Sequence, residues 1–214
     1  DAMSSYSNVT KWSAQITQAD RIPEMMRRAY TQLRSGRGAP VMVQVPGDVG
    51  TEEIDEAAFD YRVVKSFKSA GDPSDVADAI KALLASKSPV IYAGQGGLWA
   101  EASDELREFA ELVNVPGMTT NTGKSAFPET HPLSLGSGGP STTGMVNKYL
   151  KGSDLIFGIG CSFTKTNFAQ AIPQGKTIVH LTNDEDAIGR EYKTEYAMLG
   201  DAKLVLRQLL DELK

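Results

Sequence analysis

Apolar residues recur along this chain in two rhythms. Over residues 20–34, Ile22, Met25, Met26, Ala29 and Leu33 fall three or four positions apart and mark one buried face of a helix. Asp20 is placed to cap it, and Pro23 sits in the first turn, where a missing N–H costs little. Ser35-Gly36-Arg37-Gly38 stops the helix. Residues 41–45 then form a short β-rich run closed by Pro46-Gly47-Asp48, the pattern of a strand buried on both faces.

From residue 50 to 70 the periodicity lapses. Glu52, Glu53, Asp55 and Glu56 crowd together, followed by Lys65 and Lys68, which reads as a linker. Beyond it the pattern becomes regular. Asp72-Pro73 opens a helix with Val76, Ala79, Ile80, Leu83 and Leu84 as its apolar positions. Strands are predicted at 89–93, 115–119, 154–160 and 177–181, with a short last one at 196–199. Helices are predicted at 100–113 and 142–151, and after Asp201, which caps the final one. A long glycine-rich loop carries Pro128, Pro132 and Pro140.

Strands alternating with helices imply an α/β fold: a doubly wound, mostly parallel, Rossmann-like sheet covered on both sides. A helix plus one doubly buried strand cannot bury its own faces, so residues 1–50 read as the remnant of an upstream α/β domain. The division expected is a remnant at 1–50, a linker at 51–70 and the Rossmann-like domain at 71–214.

Composition narrows the functional classes. The 214 residues are 41% hydrophobic and 23% charged, ordinary for a soluble globular chain of about one domain. A net charge of −5 argues against nonspecific nucleic-acid binding, which rests on Lys and Arg neutralising phosphates. No apolar run approaches a membrane span, and residues 1–11 lack the core of a signal peptide. The single cysteine, Cys161, makes no intrachain disulfide and no cysteine-based zinc site, which suits a cytoplasmic protein. His131 and His180 are the only histidines. His131, in a loop, reads as a hydrogen-bonded structural residue; His180, inside a strand, and Cys161 read as core.

Gly94-x-Gly96-Gly97 follows a strand and precedes a helix, the context in which backbone N–H groups can meet a phosphate. The third glycine of the dinucleotide fingerprint is replaced by Trp99. The next strand ends in Thr119-Thr120-Asn121, not in the carboxylate a dehydrogenase needs for its ribose. Gly117 to Ser125 imitates a P-loop, but five residues separate Gly117 from Gly123 where the motif has four. Asn183-Asp184-Glu185-Asp186 follows a strand and suits either a ribose contact or a turn. The candidate cofactor-binding set is therefore Gly94, Gly96, Gly97, Thr120, Asn121, Gly160, Ser162, Asn183 and Asp184. No residue is assigned to catalysis or to a metal.

The order of motifs resembles one family. Pro40 to Asp48 is similar to the close of the pyrimidine-binding domain in thiamine-diphosphate enzymes of the acetolactate synthase and 2-keto acid decarboxylase type. Thr10-Lys11-Trp12 and Ile22-Pro23 resemble the approach to it. Ser88 to Gly96, Val115 to Thr120, Gly123 to Pro128 and His131 to Gly136 resemble the family's central domain, as do Ser153-Asp154-Leu155, Gly158-Ile159-Gly160 and Gly200-Asp201-Ala202. The resemblance implies a parent transferase or lyase with thiamine diphosphate and magnesium bound on two domains that lie outside this segment. It implies that those missing domains, and further copies in a dimer or tetramer, are the partners, and that this segment alone is inactive. Relatives that bind FAD resemble one another in an arginine at the position of Ser162, with a second near Lys165 and Thr166. Its loss disfavours FAD and leaves an adenine nucleotide or an empty site. The alternatives weighed are a free-standing nucleotide-binding module, regulatory or electron-transferring, and an NAD-dependent deacylase. The latter's usual four-cysteine zinc ribbon is excluded by a single cysteine.

Overall fold

A computed structural model describes residues 2–214; Asp1, the first residue of the expected remnant, lies outside the described residues. The chain divides into two units, Asp1–Lys68 and Ser69–Lys214.

The first unit contains α1 (Ala2–Tyr6), β1 (Trp12–Gln15), α2 (Ile22–Arg34) and β2 (Val41–Gln44). β1 pairs in parallel with β2, with Trp12 opposite Val41 and Gln15 opposite Gln44. The first unit departs from the sequence reading in several places. Strand β1 was not foreseen, because Trp-Ser-Ala-Gln has neither an apolar run nor clear alternation. β2 is half-buried throughout, not doubly buried, since β1 is its only strand partner among the described residues. Asp20 does not cap α2; it belongs to a 3₁₀ turn, and the N-cap residue Arg21 makes no side-chain cap. At the other end Lys11 Nζ donates to the carbonyls of Gln32 (3.1 Å), Ser35 (2.8 Å) and Arg37 (3.2 Å). A cation there satisfies orphan carbonyls and the helix dipole together. A small core of Ile16, Ala19, Met25 and Val49 forms beneath α2, while Leu33 is exposed. The acidic stretch and its sequel run back along α2: Arg27 Nη1 donates to Asp60 O at 3.0 Å, Ser66 Oγ donates to Arg34 O at 3.0 Å, and Ser35 bridges Phe67.

The second unit is a six-stranded parallel sheet with three helices on one face. Its elements are α3 (Pro73–Ala85), β3 (Pro89–Ala93), α4 (Gln95–Trp99), α5 (Ser103–Val113), β4 (Gly117–Thr120), β5 (Ser134–Gly138), α6 (Gly144–Gly152), β6 (Leu155–Ile159), β7 (Thr177–Thr182), β8 (Tyr196–Leu199) and α7 (Ala202–Glu212). The strand order is β5-β4-β3-β6-β7-β8, all parallel. This is the doubly wound order, whose direction of winding reverses between β3 and β6.

The continuous apolar runs resolve into two faces by the pleat. Ile91 and Ala93, Leu155, Phe157 and Ile159, Val179 and Leu181 join α3, α5 and α7 in the larger core. Val90 and Tyr92, Met118, Ile156 and Ile178 join Val146 and Leu150 of α6, with Cys161, Phe163 and Ile172, in the smaller one. One helix and an irregular segment thus cover the second face. The helix predicted over 100–113 begins at Ser103, and a separate short helix, α4, occupies Gln95–Trp99 before it; Glu101, with a left-handed φ of 56°, lies between the two. The glycine-rich loop contains an edge strand, β5, hidden in Ser-Leu-Gly-Ser-Gly by its lack of apolar alternation. Asp72 and Asp201 cap α3 and α7 as expected. No helix among the described residues is long and apolar enough to cross a membrane.

At the amino edge of the sheet, Asp154 accepts from the Ser86 hydroxyl and from the N–H groups of Lys87 (2.8 Å) and Ser88 (3.0 Å). These bonds, the Ser86 hydroxyl foremost, hold its carboxyl down at about 2. A depressed carboxyl stabilises the fold above its unfolded value of 3.8 and loses that contribution as pH falls through about 2. Asp154 is exposed, so Asp154→Asn is expected to lower stability by only about 1 kcal/mol at neutral pH. Thermal melts between pH 7 and pH 2 should show wild type and variant converging at the acid end.

Candidate functional site

In an open parallel sheet the carboxyl ends of the strands at the switch point form the natural crevice. Here those ends are Gly94 after β3 and Gly160 after β6, flanked by Thr120 and Asn121 after β4 and by Asn183 and Asp184 after β7. All nine candidate residues therefore lie at one edge. Thr120 and Asn183 end strands three places apart, roughly 14 Å at the usual strand spacing.

The glycines come together, but chiefly with one another. A Cβ on Gly94 would stand 2.4 Å from Gly160 O and 2.5 Å from Cys161 Cα. One on Gly96 would stand 2.8 Å from Gly160 Cα, and one on Gly160, whose φ is +59°, would stand 2.4 Å from Gly97 N. Gly123 is seated in the same way against Gly94 and Ala93. The amides are engaged too. Gly94 N donates to Ile159 O (2.8 Å), Gly96 N to Gly160 O (2.8 Å), Gly97 N to Gly94 O (3.1 Å) and Gly160 N to Leu181 O (2.9 Å). The absence of side chains lets two backbone turns meet across the switch point, and the amides that would cradle a phosphate serve that junction.

The flanking residues are polar and internally bonded. Thr120 Oγ1 accepts from Gly123 N at 2.9 Å, and Ser162 Oγ lies 2.7 Å from Thr164 Oγ1. Asp184 N donates to Thr182 Oγ1 at 3.2 Å. Asn121 is exposed and packs against Gly139, beyond the end of β5.

Beside this edge lies a cavity of about 250 Å³ between the segment after β6 and the β7–β8 connection, lined by Thr164, Lys165, Thr166, Asn167, Gln170 and Tyr192. Lys165 Nζ sits 4.5 Å above the Tyr192 ring, and Arg190 donates to Thr164 Oγ1 at 3.2 Å. In the sequence, Lys165 and Thr166 stand out only as replacements for an arginine. Tyr192 and Arg190 come from a separate loop, and no local spacing links them to Thr164.

The three residues set aside as structural behave so. His131 Nδ1 accepts from Leu133 N (3.2 Å) and its Nε2 meets Glu111 Oε1 (2.9 Å), tying the loop to α5. Burial pushes the Cys161 thiol up to about 12, so it stays protonated and unreactive at neutral pH. His180 is fully buried and its Nε2 lies 2.7 Å from Cys161 O. Among the described residues no three carboxylate, imidazole or thiol groups converge on a point that could hold a metal ion.

Comparison with known proteins places this architecture. Residues 76–209 match the family model for the thiamine pyrophosphate enzyme, central domain. The "Probable acetolactate synthase large subunit" of Methanocaldococcus jannaschii is 36% identical over 98% of the chain, and the glyoxylate carboligase of Escherichia coli O157:H7 is 32% identical over 95%. The chain spans only 37% and 35% of those two proteins. Among solved structures, benzoylformate decarboxylase from Polynucleobacter necessarius superposes with a TM-score of 0.81 at 27% identity, over 98% of this chain and 40% of that one.

Proposed function

Because this chain belongs to the thiamine pyrophosphate enzyme family, with residues 76–209 forming that family's central domain, we propose that it is the non-catalytic middle portion of an enzyme that makes or breaks a carbon–carbon bond beside the carbonyl of a 2-keto acid. The observation that carries the reading is a match along nearly the whole chain to two different carbon–carbon bond-forming enzymes, each covered over little more than a third of its length. The parent's thiamine diphosphate supplies the electron sink of such reactions when bound. Thiamine diphosphate and magnesium are proposed to be held by the domains that accompany this one. The role proposed for this chain is to buttress those domains and to help wall the approach to the cofactor, in a homo-oligomer.

An adenine nucleotide is proposed to meet the switch-point edge through Thr120, Asn121, Asn183 and Asp184, without a glycine-amide cradle. FAD is disfavoured by Ser162, whose hydroxyl is paired with Thr164.

The test compares two preparations. The full-length polypeptide carrying this segment is expected to consume pyruvate or a related 2-keto acid only with thiamine diphosphate and magnesium; the 214-residue chain is expected to give no turnover above background. Turnover by the short chain, or a full-length protein indifferent to thiamine diphosphate, would overturn the reading. Titrated by thermal shift, the chain should respond weakly to ADP, by about 0.4 kcal/mol when ligand equals Kd, and not to FAD.

A further inference from the structure

Phe163 has a backbone that L side chains avoid. Its φ is +46°, in the left-handed region, where a Cβ crowds the following carbonyl. Its ring explains why the conformation persists. It stacks on Tyr92 at 5.5 Å and 19°, meets His180 edge-on at 4.8 Å, and lies 6.3 Å from Tyr192. Strand β6 makes room for it with Gly158, where a Cβ would fall 2.3 Å from the ring. Phe163 is therefore a plug seated over the middle of the second sheet face. The segment that follows it to Ile172 is irregular, and beyond the buried Phe163 it is half-exposed or exposed until Ile172 returns to the core.

Beneath the plug is a group that can change charge. His180 Nε2 faces the Cys161 carbonyl, which only accepts, so Nε2 carries the proton and Nδ1 is a bare acceptor. Nδ1 is buried without a hydrogen-bond partner. Protonating it would place an unpaired N–H and a positive charge inside an apolar cluster. The surrounding groups do not answer that charge. Cys161 after β6 and Tyr92 on β3 are held neutral by burial. In the β7–β8 connection Tyr192 faces the plug, while Asp184 favours and Arg190 opposes a charge on the ring. Water is the remaining source of solvation, and the plug stands between it and His180.

We infer that the segment from Cys161 to Ile172 is an acid-released flap: protonation of His180 unseats Phe163 and opens the second face of the sheet, while the strands beneath stay paired. The linkage has a definite sign. Burial lowers the imidazole below its ordinary 6.5, so the closed form binds fewer protons than the open form. Closure is complete above about pH 6.5 and is progressively lost below it.

Cys161, the single cysteine and a buried one, reports the flap directly. Its reaction with 4,4′-dithiodipyridine is measured relative to an unstructured peptide of the same local sequence at each pH. Hydrogen exchange of β3 and β6 is followed alongside. Wild type is expected to lose Cys161 protection by about tenfold between pH 7 and pH 5, as a one-proton linkage allows, with β3 and β6 still protected. His180→Gln keeps a donor for the Cys161 carbonyl but cannot titrate, and should hold its protection across that range. Phe163→Gly should be reactive at both pH values. Equal protection of wild type at pH 7 and pH 5, a parallel loss in His180→Gln, or simultaneous exchange of β3 and β6 would each overturn the flap.

Discussion

Gly160→Ala is expected to be among the most damaging single substitutions in the second unit, although it adds one methyl group. The residue has a φ of +59°, and its Cβ would lie 2.4 Å from Gly97 N and 2.7 Å from Gly96 C. The left-handed backbone costs alanine about 1–2 kcal/mol. The clash adds more, because both contacting atoms are backbone and Gly96 N is bonded to Gly160 O at 2.8 Å. A total loss of at least about 3 kcal/mol corresponds to a melting point lower by roughly 6–12 °C for a unit of this size. Gly152→Ala is the control: it sits in the last turn of α6 with nothing within 4 Å of its Cβ. It should leave the melting point unchanged or raise it slightly. Equal melting points for the two variants would show that the turns around Gly94 and Gly160 are slack.

Phe157→Ala is expected to cost about 3–5 kcal/mol, read as a lower denaturant midpoint with an unchanged slope. Phe157 lies on β6, a central strand, is fully buried, and packs its ring 5.3 Å from that of Phe109 on α5. Its loss opens a cavity between the sheet and a helix that contacts α7 as well, so neighbours cannot close it cheaply. Trp99→Ala removes a larger side chain that is 78% exposed and should change stability by less than about 0.5 kcal/mol. A Phe157 variant as stable as the Trp99 one would mean that the core around β6 can repack.

The contrast between these residues shows what local sequence carries. β6 was legible because Leu-Ile-Phe-Gly-Ile is an unbroken apolar run between Asp154 and Gly160, and a strand with cover on both faces demands that pattern. β5 and β1 were not, because an edge strand needs few apolar residues and its identity is set by its neighbour. The strand-turn-helix at Gly94 was visible as a motif. That its glycines exist for Gly160 was not, because their partner comes from another strand and no spacing rule connects the two. The candidate site was legible as a list of strand ends, since topology alone places Thr120, Ser162 and Asn183 on one edge. The arrangement beside it, where Tyr192, Arg190 and Thr164 come together, was set by the packing of two loops. The Phe163 plug left one trace in the sequence, Gly158 within an otherwise bulky strand, and a glycine there is equally consistent with many other causes.

The strand order also governs how the unit must assemble. β3 pairs with β6 along its full length, from Pro89 opposite Leu155 to Ala93 opposite Ile159. Between them in the chain lie α4, α5, β4, β5 and α6. As the polypeptide leaves the ribosome, β3 can recruit β4 on one side, but its other edge stays open until β6 has been synthesised. Non-local parallel pairing of this kind slows folding, because the intervening chain must be closed before the contact repays it. The apolar face of β3 is therefore at its most aggregation-prone during that interval. A pause once residue 159 has emerged from the ribosome should raise the soluble yield, whereas a pause while β6 is still enclosed in it should lower it.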